Sequence, residues 1–263
     1  MRIITLLSFL VAMVAPAPAQ LAAPNDAGVA MGHYHLVVKD LEAQKRFWST
    51  MGGKPVQNGQ LQLIQFPGVF VMLRQGDPKG GTEGSTVNHF GFNVKDAKAS
   101  RAKWEAAGLK IIPGGRPEQF YVMGPDDVKI EIIEDQSISA PIVNHHIHFW
   151  TGSIPDTKAW YVKTFGAKPG KRGNNEAADI PGVNLTFSAA SQGSTVGTKG
   201  RSLDHIGFEV KNLEQFCKNL EAQGIKFDRP YGKLPNSNTA IAFITDPWGT
   251  YIELTEGLAP ASL

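Results

Sequence analysis

One histidine-bearing strand pattern occurs four times in this chain, and nothing else in the sequence limits its fold as tightly. The openings read GHYHLVVKD at His33, NHFGFNVKD at His89, HHIHFWTGS at His146 and DHIGFEVKN at His205, spaced 56 to 59 residues apart. Successive side chains of a strand point to opposite faces. Tyr34, Leu36 and Val38 therefore share one face, and His33, His35 and Val37 the other. Phe90, Phe92 and Val94 likewise oppose His89, Gly91 and Asn93, and Ile206, Phe208 and Val210 oppose His205, Gly207 and Glu209. In the third copy Ile147 and Phe149 oppose His146, His148 and Trp150. Each copy prepares an apolar face for a helix and a polar face for a cavity.

Each opening strand leads into a helical pattern that starts at a capping residue type: Asp40, Asp96, Ser153 or Asp156, and Asn212. Each helix ends on glycine, at Gly52 or Gly53, Gly108, Gly166 and Gly224, where a left-handed residue stops the helix without strain. Short β-branched and aromatic runs follow. The unit reads βαβββ, and the chain is an α+β protein of four such modules. Modules one and three carry His-x-His, and their later strands share Pro67-Gly68-Val69 and Pro181-Gly182-Val183. Modules two and four carry His-x-Gly and end in GPDDVKIEI and DPWGTYIEL. The order ABAB implies a duplicated two-module domain, 29–135 and 143–257, joined through a polar segment that holds Pro141. Within each domain the helices are expected outside and the histidine faces inward.

The N-terminus is of another kind. Arg2, an apolar run from Ile3 to Val14 and Ala17-Pro18-Ala19 form a secretory signal peptide, 1–19, cleaved after Ala19. The run is too short to cross a bilayer. The expected location is periplasmic or secreted, with no membrane attachment after cleavage. A formal net charge of +2 and no run of Lys or Arg exclude a nucleic-acid groove. The single cysteine, Cys217, lies on the apolar helix face of Leu213, Phe216 and Leu220 and reads as a small buried hydrophobe.

These modules resemble the vicinal oxygen chelate (VOC) superfamily, which includes glyoxalase I, extradiol dioxygenases, fosfomycin-resistance proteins and bleomycin-binding proteins. The marks are a strand histidine seven residues before an Asp or Asn cap (His33 to Asp40, His89 to Asp96, His205 to Asn212) and the closing Asp-Pro-x-Gly-x-x-x-Glu from Asp246 to Glu253. The second module keeps a looser form, Gly124-Pro125-Asp126-Asp127 with Glu131. The resemblance implies two tandem VOC domains with one metal site in each. The implied ligands are His33, His89 and Glu131 in the first, and His146, His205 and Glu253 in the second. Two imidazoles and a carboxylate suit a divalent ion: Mn, Zn or Fe(II). His35 and His148 lie on the same faces and could each be a fourth ligand, a neighbour orienting a ligand, or a general acid/base. Tyr121 occupies the place of a tyrosine that extradiol dioxygenases carry upstream of the closing motif, but the accompanying histidine is missing. The last strands of modules one and three, VFVMLRQ and VNLTFSA, lack the further carboxylate that glyoxalase I needs.

Two functions follow as expectations. One is an exported metal-dependent enzyme acting on a small oxygen-bearing substrate, with lyase, isomerase or dioxygenase chemistry. The other is a non-catalytic protein that sequesters a small molecule, as bleomycin-resistance proteins do. A homodimer stays open under either.

Overall fold

The computed structural model describes residues 21–59, 61–190, 195–235 and 237–258. The expected leader lies outside the described residues. All four βαβββ modules form. Module one comprises β1 (Val29–Val38), α1 (Leu41–Met51), β2 (Lys54–Asn58), β3 (Leu61–Phe66) and β4 (Val69–Gln75). Module two comprises β5 (Val87–Val94), α2 (Ala97–Ala106), β6 (Lys110–Pro113), β7 (Gln119–Met123) and β8 (Lys129–Glu134). Module three runs through β9 (Ile142–Thr151), α3 (Ile154–Phe165), β10 (Lys168–Arg172), β11 (Asn175–Ile180) and β12 (Val183–Ala189). Module four closes the chain with β13 (Leu203–Val210), α4 (Leu213–Ala222), β14 (Phe227–Lys233), β15 (Ala240–Thr245) and β16 (Tyr251–Glu256).

The modules do not join into sheets in chain order. One eight-stranded sheet runs β14-β15-β16-β13-β1-β4-β3-β2, and the other β10-β11-β12-β9-β5-β8-β7-β6. Module one thus shares a sheet with module four, and module two with module three. Each sheet is joined at its centre by two antiparallel opening strands, β1 with β13 and β5 with β9. This corrects the expectation that each chain-contiguous pair encloses its own cavity.

The contiguous pairs meet through their apolar faces instead. Tyr34 stacks on Phe90 at 4.0 Å between ring centroids, and Phe66 meets Phe92 at 4.8 Å. The Trp104 indole of module two donates to the Thr50 carbonyl of module one at 3.1 Å. Modules three and four repeat the arrangement, with Phe165 against Phe208 at 4.8 Å. Each fully buried aromatic ring contributes about 1.5–3 kcal/mol, and a well-placed ring pair about 0.5–1.5 kcal/mol more. The apolar faces of both sheets form one continuous core. Alternation then turns the histidine faces away from that core, each into its own cleft. The inward histidine faces expected from the sequence are corrected on this point too.

The closing motif proves to be a docking device. Asp246 Oδ1 accepts from the Thr250 and Trp248 amides at 2.7 and 3.0 Å, fixing the turn that launches β16. Its Oδ2 accepts from the Tyr161 hydroxyl at 2.9 Å, tying the helix of module three to module four. Asp126, at φ 59°, does the same for the other pair, accepting from Gln44 Nε2 and the Lys39 amide, each at 3.2 Å. Asp40 and Asp96 cap α1 and α2 as read, accepting from the Ala43 and Ala99 amides at 2.9 and 2.8 Å. Asn212 does not cap α4: it sits at φ 56°, and the Glu256 carboxylate accepts from the Asn212 and Leu213 amides in its place. Ser153 makes no capping bond to α3 and instead donates to Asp156.

Candidate metal centres

Among the described residues two groups of histidine and glutamate side chains result, one on each sheet. The first holds His33, His35, His205 and Glu253, and the second His89, Glu131, His146 and His148. In each, one ligand atom from every residue lies within 4.8 Å of all the others. All six metal ligands implied by the resemblance are present, but they have exchanged partners. His33 meets His205 and Glu253, while His146 meets His89 and Glu131. The cause is the sheet pairing: a ligand from an opening strand faces the strand hydrogen-bonded to it, not the next module in the chain.

The register accounts for the His-x-His and His-x-Gly alternation. Across the central pair of the first sheet, His33 lies opposite Gly207 and His35 opposite His205. In the second sheet His146 lies opposite Gly91, and His148 opposite His89. A Cβ on Gly207 would lie 2.0 Å from His33 Cε1, and one on Gly91 would lie 2.2 Å from His146 Cε1. Each glycine is the space into which the partner's first imidazole folds. Gly207 also pairs with Glu253, and Gly91 with Glu131. The even modules therefore supply a histidine and a glutamate. In the odd modules the matching strand positions pair His35 with Met72 and His148 with Thr186. The carboxylate absent from β4 and β12 is thus accompanied by a second histidine on the neighbouring strand.

In the first cluster Glu253 Oε2 lies 2.9 Å from both His33 Nε2 and His205 Nε2. His205 Nδ1 meets Asp204 Oδ1 at 2.6 Å, and Asp204 Oδ2 accepts from the Gly200 amide. Such a carboxylate orients the ring and presents Nε2 to the centre. Burial works against a charge on His205, but Asp204 and Glu253 outweigh it and raise its pKa. Burial holds His33 below the ordinary histidine value and His35 well below it. Burial also disfavours the Glu253 carboxylate, yet hydrogen bonds to His205 and His33 bring its pKa far below the usual range. Three buried imidazole nitrogens here, His33 Nδ1, His35 Nδ1 and His35 Nε2, have no hydrogen-bond partner. Buried polar atoms are rarely left so, and a cation held by this donor set would engage one nitrogen of the His35 ring. The residues fit a divalent ion.

This cluster opens on a cavity of about 380 Å³ whose lining includes Met72, Arg74, Arg229, Phe243, Tyr251 and Glu253. Burial pushes the Tyr251 hydroxyl up to about 12, so it stays protonated and can donate. In the second cluster Glu131 Oε2 lies 2.8 Å from His146 Nε2 and 3.2 Å from His89 Nε2. His89 Nδ1 meets Asn88 Oδ1, an amide where the first cluster has a carboxylate. Tyr121 stands beside His89, ring centroids 5.5 Å apart, and His148 meets Ser188 Oγ at 2.8 Å. His145 brings Nδ1 within 3.0 Å of His146 Nδ1. The sequence reading missed Asp204, Gly207, Gly91 and Arg172. Only the glycines carried a signal, in the His-x-Gly repeat.

Residues 144–254 match the family model of the Glyoxalase/Bleomycin resistance protein/Dioxygenase superfamily. Glyoxalase I from Zea mays superposes with a TM-score of 0.69 at 18% identity, covering 87% of this chain and 92% of that one. A presumed dioxygenase from Bacillus subtilis superposes with a TM-score of 0.67 at 13% identity, covering 93% of this chain and 87% of that one. At these identities the likeness is one of fold. No curated protein sequence matches the chain.

Proposed function

We propose, from the premise that this chain carries the tandem fold of the glyoxalase, bleomycin-resistance and dioxygenase (VOC) superfamily, that it is an exported metal-dependent enzyme acting on a small oxygen-bearing molecule. The observation that carries the reading is the first cluster. Three imidazoles and a carboxylate converge, with both His35 nitrogens partnerless, beside a cavity of about 380 Å³, a size suited to a small ligand. His33, His35, His205 and Glu253 would hold the ion, and Asp204 would keep His205 in its donating tautomer. Bound there, a divalent ion such as Mn, Zn or Fe(II) supplies Lewis-acid polarisation of a substrate oxygen. Glu253 and Asp204 together offset a divalent ion, so Arg74 and Arg229 leave the wall of the cavity with positive charge. That favours a substrate carrying an anionic or strongly electron-rich oxygen. Tyr251 donates a hydrogen bond, and Met72 and Phe243 shape the apolar side of the cavity.

Replacing Glu253 by glutamine removes the only anionic ligand of this cluster. Metal affinity should fall roughly 100-fold or more, as loss of a ligand exceeds the effect of losing its supports. Metal analysis after desalting, with circular dichroism to confirm the fold, checks this; full retention of metal would refute the ligand role. The sequestering alternative separates cleanly from the enzyme. Vicinal oxygen compounds such as catechols and hydroxy acids should raise the melting temperature only of metal-loaded protein. Equal stabilisation with and without metal would favour a binding protein. Export is a proposal from the sequence: protein recovered from the periplasm should begin at Gln20, and a full-length cytosolic product would refute it.

A further inference from the structure

The second cluster has the same ligand types as the first, yet its donors are already engaged by the chain itself. Arg172, at the end of β10, reaches over the sheet and places Nη2 3.6 Å from Glu131 Oε2, while its Nε donates to Thr186 Oγ1 at 2.7 Å. Glu131 Oε1 accepts from the Gln119 amide. Both ring nitrogens of His148 have partners, His89 Nε2 at 3.2 Å and Ser188 Oγ at 2.8 Å. Only His146 Nε2 lacks a formal hydrogen bond here, and it lies 2.8 Å from Glu131 Oε2. The first cluster differs at each corresponding position. Asn58 ends β2 as Arg172 ends β10, and its amide turns away to the Leu258 carbonyl at 3.1 Å. Ile241, two residues before Phe243 on β15, stands where Gln119 stands two before Tyr121 on β7. Met72 stands where Thr186 receives the guanidinium.

We propose that the guanidinium of Arg172 takes the place of a metal ion in the second cluster, so that the chain binds a single divalent ion, in the first. An arginine keeps its charge at any working pH. An ion on Glu131 would lie beside that fixed charge, in a buried setting where like charges repel strongly. Moving Arg172 aside would strip a partly buried cation of its ion pair with Glu131. The second cluster is then an internal ion-pair network joining modules two and three, the role hydrogen-bonded buried charges can fill.

This inference rests on the reading of the first cluster as the metal centre, and one experiment tells their failures apart. Full-length mature protein is saturated with Mn²⁺, desalted, and its metal counted per chain by plasma mass spectrometry and native mass spectrometry. The wild type should carry one ion, Glu253→Gln none and Glu131→Gln one. Arg172→Ala should rise towards two, the second ion lost again in Arg172→Ala/Glu131→Gln. Should Glu131→Gln fold poorly, the wild-type count and the Arg172→Ala gain still decide the matter. Two ions in the wild type, or one ion that depends on Glu131, would overturn the inference and leave the first cluster's role standing. Arg172→Ala remaining at one ion would overturn the part assigned to Arg172. No ion in the wild type would overturn both readings.

Discussion

Gly207→Ala should abolish metal binding in the first cluster and destabilise the protein by about 3 kcal/mol, the upper range for an overpacked core. The added methyl would meet His33 Cε1 at 2.0 Å, Nδ1 at 2.2 Å and Nε2 at 2.4 Å. Neither partner can retreat. Gly207 is held by β1 on one side and by Glu253 of β16 on the other, and His33 is fully buried. The ring must leave its rotamer, and a ligand leaves with it. His33→Ala in the Gly207→Ala background should recover most of the stability without recovering metal, because the clash goes and the ligand does not return. Gly91→Ala faces the same collision, 2.2 Å from His146 Cε1, and should cost similar stability while leaving the first cluster's metal untouched. Urea unfolding and metal analysis on the three variants check the set; a Gly207→Ala protein of unchanged stability and metal content would show that the glycine is not the imidazole's space.

How much of this was legible in the sequence depends on what each signal encodes. Strand alternation and helix caps are local, so the four modules and their two faces could be read from residues such as Tyr34, His35 and Asp40. The histidines of the two clusters could be read for the same reason: a histidine on the polar face of an opening strand has few other places to go. Their partners could not. Whether His33 meets His89 or His205 depends on which opening strands hydrogen-bond, and edge compatibility between distant strands leaves no periodic trace. The one trace present was the glycine in His-x-Gly, since Gly91 and Gly207 are needed only if a bulky ring arrives from the strand opposite. Arg172 was illegible for another reason. It acts across two strands from the end of β10, where a basic residue at a strand end reads as ordinary surface.

The metal-free protein should lose several kcal/mol of stability between pH 7 and pH 5, and the sign follows from the histidines. Burial holds His148 at about 3 and His145 at about 4, against about 6.5 in an unfolded chain. Both stay neutral in the fold while the unfolded chain takes up protons, so acid pulls the equilibrium towards unfolding as pH falls below about 6.5. At pH 5 each costs about 2 kcal/mol, about 4 kcal/mol together, out of the roughly 5–15 kcal/mol typical of a domain. His33, His35, His89 and His146 are shifted the same way by burial. His205 acts in the opposite sense: its raised pKa adds stability below about 6.5 that is lost as pH rises through the folded value. Six groups against one decide the direction. Glu131 and Glu253, both held far below the carboxylate range, contribute above about 4.5 and lose that contribution only as pH falls further. Urea midpoints at pH 7, 6 and 5 should therefore fall steeply before Glu131 or Glu253 titrates. His148→Gln should flatten the fall by about 2 kcal/mol, having removed one of the groups that drive it. A midpoint that stays level from pH 7 to pH 5 would mean that these imidazoles are already charged in the fold, and the neutral donor set that the first cluster offers to a metal ion would be lost with them.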